Sequence, residues 1–121
     1  MPNYRLRSSA EFSRTVRGGV RVGRPTLVVH VRQRPSAGAG SALIGVAPQV
    51  GFVVSKAVGG AVVRNRVKRR LRELSRPLVM AMPQHWSVVV RALPTAATEP
   101  GRLAEDLKDA WQFACRKAGV A

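Results

Sequence analysis

The sequence predicts a small α/β domain in which Val-rich strands alternate with amphipathic helices. Three observations predict it. Short, β-branched apolar runs recur at 26–31, 49–55 and 86–93. Segments of helical period lie between and after them, bounded by turn residues. The hydrophobic fraction, 45% of 121 residues, is that of an ordinary globular chain and suffices for one modest core. Residues 1–121 therefore read as a single domain.

Each element has its own signal. Ser8-Ser9-Ala10-Glu11 carries capping-box spacing, in which a Ser oxygen accepts from an N–H three residues on. Phe12 and Val16 follow one turn apart and Gly18-Gly19 supplies a stop, so a helix is predicted over 9–17. Thr26 to Val31 is a strand. Residues 35–41, Pro-Ser-Ala-Gly-Ala-Gly-Ser, form a loop by composition, and Ala42 to Ala47 a short strand or loop edge. Gln49 to Ser55 is the second strand. Gly59-Gly60 opens a helix running to about Val79. Trp86 to Leu93 is the third strand, and Pro94 to Thr98 a turn. Glu99-Pro100 starts the last helix, with Leu103, Leu107, Ala110, Trp111 and Ala114 on one face.

Charge is distributed unevenly over this frame. Residues 1–98 hold 17 basic and 2 acidic side chains, whereas residues 99–121 hold 4 of each. The whole net charge of +15 thus belongs to the first four-fifths of the chain. Such an excess repels itself on a compact body and is relieved by a polyanion, with nucleic acid the leading candidate. Arg outnumbers Lys 17 to 4, which favours planar recognition of phosphates and bases. The longest apolar stretch, around Leu43 to Val54, is interrupted by Gly45, Pro48, Gln49 and Gly51, so no membrane-spanning helix is expected. The N-terminal residues carry no apolar signal region, and a lone Cys115 makes no internal disulfide. Both fit the cytoplasm.

The segment from Val62 to Arg76 is the most informative. On a helix, Val63, Val67, Leu71, Leu74 and Leu78 fall within an arc of about 80°, a core-facing stripe. Arg64, Lys68, Arg72 and Arg76 form a ladder beside it, Asn65 and Arg69 share the polar face, and Arg66 and Arg70 flank the stripe. Like charges one turn apart destabilise an isolated helix by roughly 0.2–0.5 kcal/mol per pair. A ladder with only Glu73 nearby to offset it serves binding, and a docked nucleic acid is what it fits.

These residues also carry a family resemblance. The run Val54-Ser55-Lys56-Ala57-Val58-Gly59-Gly60-Ala61-Val62-Val63-Arg64-Asn65-Arg66-Val67-Lys68-Arg69 resembles the signature of the bacterial ribonuclease P protein subunit. Its Arg-Asn-Arg core stands between Ser-Lys with Gly-x-Ala-Val and a following Lys-Arg-x-x-Arg-Glu. The amino-terminal Arg-Leu-Arg, the Glu-Phe of the first helix and the closing amphipathic helix are similar too, so all but the 35–49 loop is covered.

The resemblance implies a two-layer α/β sandwich, a small mixed sheet with a left-handed βαβ crossover; chain-level rules alone favour a right-handed one. It implies a subunit that assists cleavage of the 5′ leader from precursor tRNA, with the catalytic centre, and its Mg2+, in a large RNA partner. Arg64, Asn65, Arg66, Lys68, Arg69 and Arg72 would then face that RNA, and Phe12, Val16, His30 and Lys56 would line a cleft for the single-stranded leader. No membrane and no obligate protein partner is implied. This chain departs from the family pattern at Ala57, Gly60, Val16 and His30. The last two positions are often aromatic, so leader binding here leans on backbone charge more than on stacking.

Nothing in the sequence makes the chain a nuclease alone. Metal-assisted cleavage needs clustered carboxylates, and Glu105, Asp106 and Asp109 read instead as acids complementing a helix dipole. Acid–base cleavage needs paired histidines or a His–Lys pair; His30 and His85 sit on separate segments. Cys115 reads as a partly buried, inert thiol, and Trp86 and Trp111 as core.

Overall fold

The computed structural model describes residues 4–34 and 47–120. Four strands form one mixed sheet: β1 (Val20–Gly23), β2 (Leu27–Gln33), β3 (Gln49–Val53) and β4 (Trp86–Ala92), in the order β1-β2-β4-β3. The β1-β2 and β2-β4 pairs are antiparallel, and β3 runs parallel to β4. Helix α1 (Ser9–Gly18) precedes the sheet, α2 (Ala61–Met80) connects β3 to β4, and α4 (Leu103–Ala118) closes the chain. A one-turn α3 (Thr95–Thr98) and a 3-10 turn (Pro100–Arg102) lead into α4.

Local chemistry explains most boundaries. The Ser8 hydroxyl accepts from the Glu11 N–H at 3.3 Å, capping α1 as its spacing predicts. Gly19 ends α1 where β2 passes almost in contact with it. A Cβ there would lie 2.6 Å from both the Thr15 and Val31 carbonyl oxygens. Gly119, at φ 87°, terminates α4 in the left-handed region that glycine tolerates. Pro77 sits near the end of α2, where its missing N–H leaves only one carbonyl, that of Glu73, without an intrahelical partner.

The strand register divides the side chains between two faces. One face carries Val22, Leu27, Val29, Val31, Val50, Val88, Val90 and Ala92, all buried against α2 and α4. Here Leu103, Leu107, Ala110, Trp111 and Ala114 all pack inward, on the stripe read from sequence. The opposite face carries Arg21, Val28, His30, Arg32, Gly51, Val53, Ser87, Val89 and Arg91. Helix α1 packs on it, against β2 and β4.

Several expectations need correction. The Val-Arg-Val-Gly strand β1 is absent from the sequence expectation, because four residues with one apolar alternation give almost no signal. The second predicted strand ends at Val53, since Ser55 already belongs to the turn into α2. Pro94 to Thr98 contains a helical turn, and the last helix starts at Leu103 rather than Glu99. The buried line of α2 is Val67, Leu71, Ser75 and Val79, while Val63, Leu74 and Leu78 pack at its margins. The loop expected over 35–41 and nearly all of the 42–47 segment lie outside the described residues.

Candidate nucleic-acid interface

The turn before α2 is built tightly. Val58 N–H donates to the Ser55 carbonyl at 3.1 Å and Gly59 N–H to that of Lys56 at 3.2 Å. Gly59 has φ 157°, and a Cβ on it would lie 2.9 Å from Val63 Cγ1, so only glycine lets the helix start this close. This turn leaves Lys56 exposed while burying Val58. The first turn of α2 contains no acid, so no carboxylate there offsets the positive end of the helix.

Along α2, Asn65, Arg66, Arg69, Arg70, Arg72 and Arg76 are exposed, and Arg64 and Lys68 are half-buried. None of these basic groups makes an ion pair among the described residues. The Arg64 Nε is enclosed and has no hydrogen-bond partner. The ion pair seen nearby joins other elements, Arg32 to Glu11 at 3.3 Å, and serves to pin α1 onto β2. The expected RNA-facing residues therefore lie on one helix, their charge unanswered from within the described chain.

The four expected cleft residues separate into two kinds. Phe12 is half-buried and points the tip of its ring at Gly51, where a Cβ would come within 2.2 Å of Cζ. The missing side chain at 51 is what seats the ring on the sheet. Val16 is 40% exposed one turn further along, and Lys56 is exposed beyond the end of β3. His30 differs: it is only 4% exposed, so its ring offers no stacking face, and the expectation that it lines the cleft as a partial substitute for an aromatic is corrected. Its Nδ1 is buried without a partner. Burial first, then the charges of Arg21 and Arg91, hold its pKa below the ordinary value, keeping it neutral.

Those two arginines are what sequence reasoning misses. Arg21 pairs with His30 across β1-β2, and Arg91 pairs with Val28 and Val53 on either side of β4. Both are exposed on the face that α1 leaves partly open. The signal for Arg91 is a lone charge at the alternation-breaking end of Trp-Ser-Val-Val-Val-Arg; for Arg21 it is hidden with β1 itself.

Other candidates resolve into structural roles. Asp106 is buried and accepts two hydrogen bonds, from the Thr26 N–H at 3.1 Å and the Thr26 hydroxyl at 2.7 Å. It ties α4 to the start of β2. No group of three or more His, Cys, Asp or Glu gathers among the described residues. Burial pushes the Cys115 thiol up to about 11, far from a nucleophilic thiolate. Trp86 and Trp111 are in the core. No described helix is long and apolar enough to cross a membrane.

Comparison with known proteins shows which family and fold the chain resembles. The family model for ribonuclease P matches residues 1–115. The chain is 54% identical over 115 residues to the ribonuclease P protein component of Kocuria rhizophila, covering 94% of each. It is 50% identical over 109 residues to that of Streptomyces avermitilis, covering 89% of each. The fold is similar to the Staphylococcus aureus RNase P protein, with TM-score 0.75 at 24% identity, over 93% of this chain and 95% of that one. The Thermotoga maritima RNase P protein superposes with TM-score 0.70 at 24% identity, over 92% and 97%.

Proposed function

The chain belongs to the ribonuclease P protein family and is a subunit of the enzyme that processes the 5′ end of precursor tRNA, and from that premise we propose how its surfaces divide the work. Helix α2 docks on the RNA partner through Arg64, Asn65, Arg66, Lys68, Arg69 and Arg72. The partly open sheet face holds the 5′ leader, with Phe12 as a stacking surface, Val16 as an apolar wall, and Lys56, Arg21 and Arg91 as phosphate partners. His30 supports this floor from beneath. The observation that carries the reading is the set of α2 cations with no ion-pair partner among the described residues. Displacing condensed counterions from RNA is the favourable use of such charge.

The reaction itself belongs to the RNA partner in this reading. The Mg2+ of phosphodiester hydrolysis would be held there, where it orients water and stabilises the leaving oxygen. Asp106, the carboxylate best placed by burial, is committed to Thr26. The protein contributes grip on substrate, and its place of work is the cytoplasm.

Competition between precursor and mature tRNA for the assembled enzyme tests this, with the RNA partner alone as control. Adding protein should strengthen binding of precursor and leave mature tRNA nearly unchanged. Equal strengthening of both would show that the sheet face does not read the leader.

A further inference from the structure

One groove among the described residues extends beyond both the exposed side of α2 and the sheet face under Phe12. It encloses about 1040 Å³ and runs over the outer edge of β3, between the amino-terminal segment and the second half of α2. That segment is fixed in place: Leu6 N–H donates to the Val50 carbonyl at 3.0 Å, and Val50 N–H to that of Tyr4 at 2.7 Å. It therefore covers the free edge of β3 and forms one wall.

The lining has two chemistries. Arg5, Arg7, Lys68, Arg72 and Arg76 are basic and Glu73 is the one acid, so the rim is strongly cationic. Tyr4, Phe52, Val79 and Met80 give an apolar floor, with Met80 56% exposed. Lys68 and Arg72 stand on the border with the RNA-docking side of α2. Arg7 and Arg76 are exposed and belong to the groove alone.

We propose that this groove continues the leader cleft and holds the next stretch of the single-stranded leader. The proposal rests on the cleft reading under Proposed function. Phe12 joins the two sites, because its ring seats on the sheet face at Gly51 and also lines the groove. A strand stacked on Phe12 passes over the edge of β3 directly into it. A base-paired RNA presents phosphates outward and keeps its bases stacked inside, so it has nothing to lay on a concave apolar floor. An unpaired strand does, with bases inward and phosphates on the rim. The volume accommodates a few nucleotides.

The test uses the assembled enzyme and precursor tRNAs whose leaders shorten one nucleotide at a time, with the scissile bond blocked. Affinity should rise as the leader fills the cleft and rise again when it reaches the groove. An Arg7→Ala/Arg76→Ala double variant should remove the second rise only. With long leaders its plot of log affinity against log salt should flatten by about 1.4, at about 0.7 for each single-strand phosphate that is no longer neutralised, and with short leaders it should be unchanged. A second rise that survives in the variant overturns the proposal. So does weakened assembly with the RNA partner at unchanged length dependence, which would give the groove to that RNA instead. If the parent protein shows no leader dependence at any length, the cleft reading falls and this one with it; absence of the second rise alone removes only the groove.

Discussion

The two faces of the sheet are made from the same strands yet behave as different materials. Against α2 and α4, the strand residues Leu27, Val29, Val31, Val88 and Val90 are at most 1% exposed and belong to one apolar cluster. Against α1, the alternate residues are Val28, His30, Arg32, Ser87, Val89 and Arg91, apolar and polar mixed, and four buried polar atoms lack partners: Glu11 Oε2, Thr15 Oγ1, His30 Nδ1 and Ser87 Oγ. On this face Arg21 and Arg91 remain exposed, while the residues between them are buried. The strands alternate accordingly: odd positions of β2 face α2 and α4, and even positions face α1.

The largest effect is expected on the closed face. Leu107 is fully buried in α4 against β2. Leu107→Ala should cost about 2–5 kcal/mol in denaturant unfolding, the range for a core Leu whose cavity collapses only partly. At a temperature where the variant remains folded, the salt dependence of its RNA binding should match the parent. A changed slope would mean that the closed face shapes the cationic surface after all.

Phe12 probes the face on which α1 packs. Phe12 is half-buried, so Phe12→Ala should destabilise the protein less than replacing a fully buried aromatic does. The larger effect should be on leader-bearing substrate, at about 1–3 kcal/mol for removing the ring on which a base stacks. Affinity for mature tRNA should not move. A variant that loses several kcal/mol of stability while keeping its preference for precursor would place Phe12 with the core.

How much of this is legible in the sequence follows the range of the interactions. The stripe of α4 reads residue for residue because helical period is local and Leu103 to Ala114 obey it. The capping of α1 by Ser8 is legible for the same reason. The buried line of α2 is only partly legible: Ser75 lies in it, a polar residue whose hydroxyl bonds back to the Arg72 carbonyl and so packs without cost. Asp106 reads as a dipole acid because its partner, Thr26, is 80 residues away. Arg21 and Arg91 escape the sequence, and His30 reads wrongly from it, because burial on that face depends on where α1 lies. No spacing within a strand encodes that.

His30 is the finest test of the boundary between the two faces, since it sits beneath the open one yet is buried like the closed one. Its pKa is lowered by burial and by Arg21 and Arg91, so the unfolded chain binds the proton more readily than the folded one. The sign follows: its contribution is complete above the ordinary value of 6.5 and is lost as pH falls below it. A single group contributes at most about 1.4 kcal/mol per pH unit, so this is the smallest of the expected effects. His30→Phe removes the titration and leaves no hydrogen bond broken at Nδ1, which has no partner. Melts from pH 7 downward should show the parent losing stability faster than the variant, while affinity for long-leader precursor at pH 7 stays level. Parallel melting curves would show that position 30 is open enough to stay solvated. A gain in leader affinity would show that the new ring reaches the strand, and position 30 would then belong to the open face.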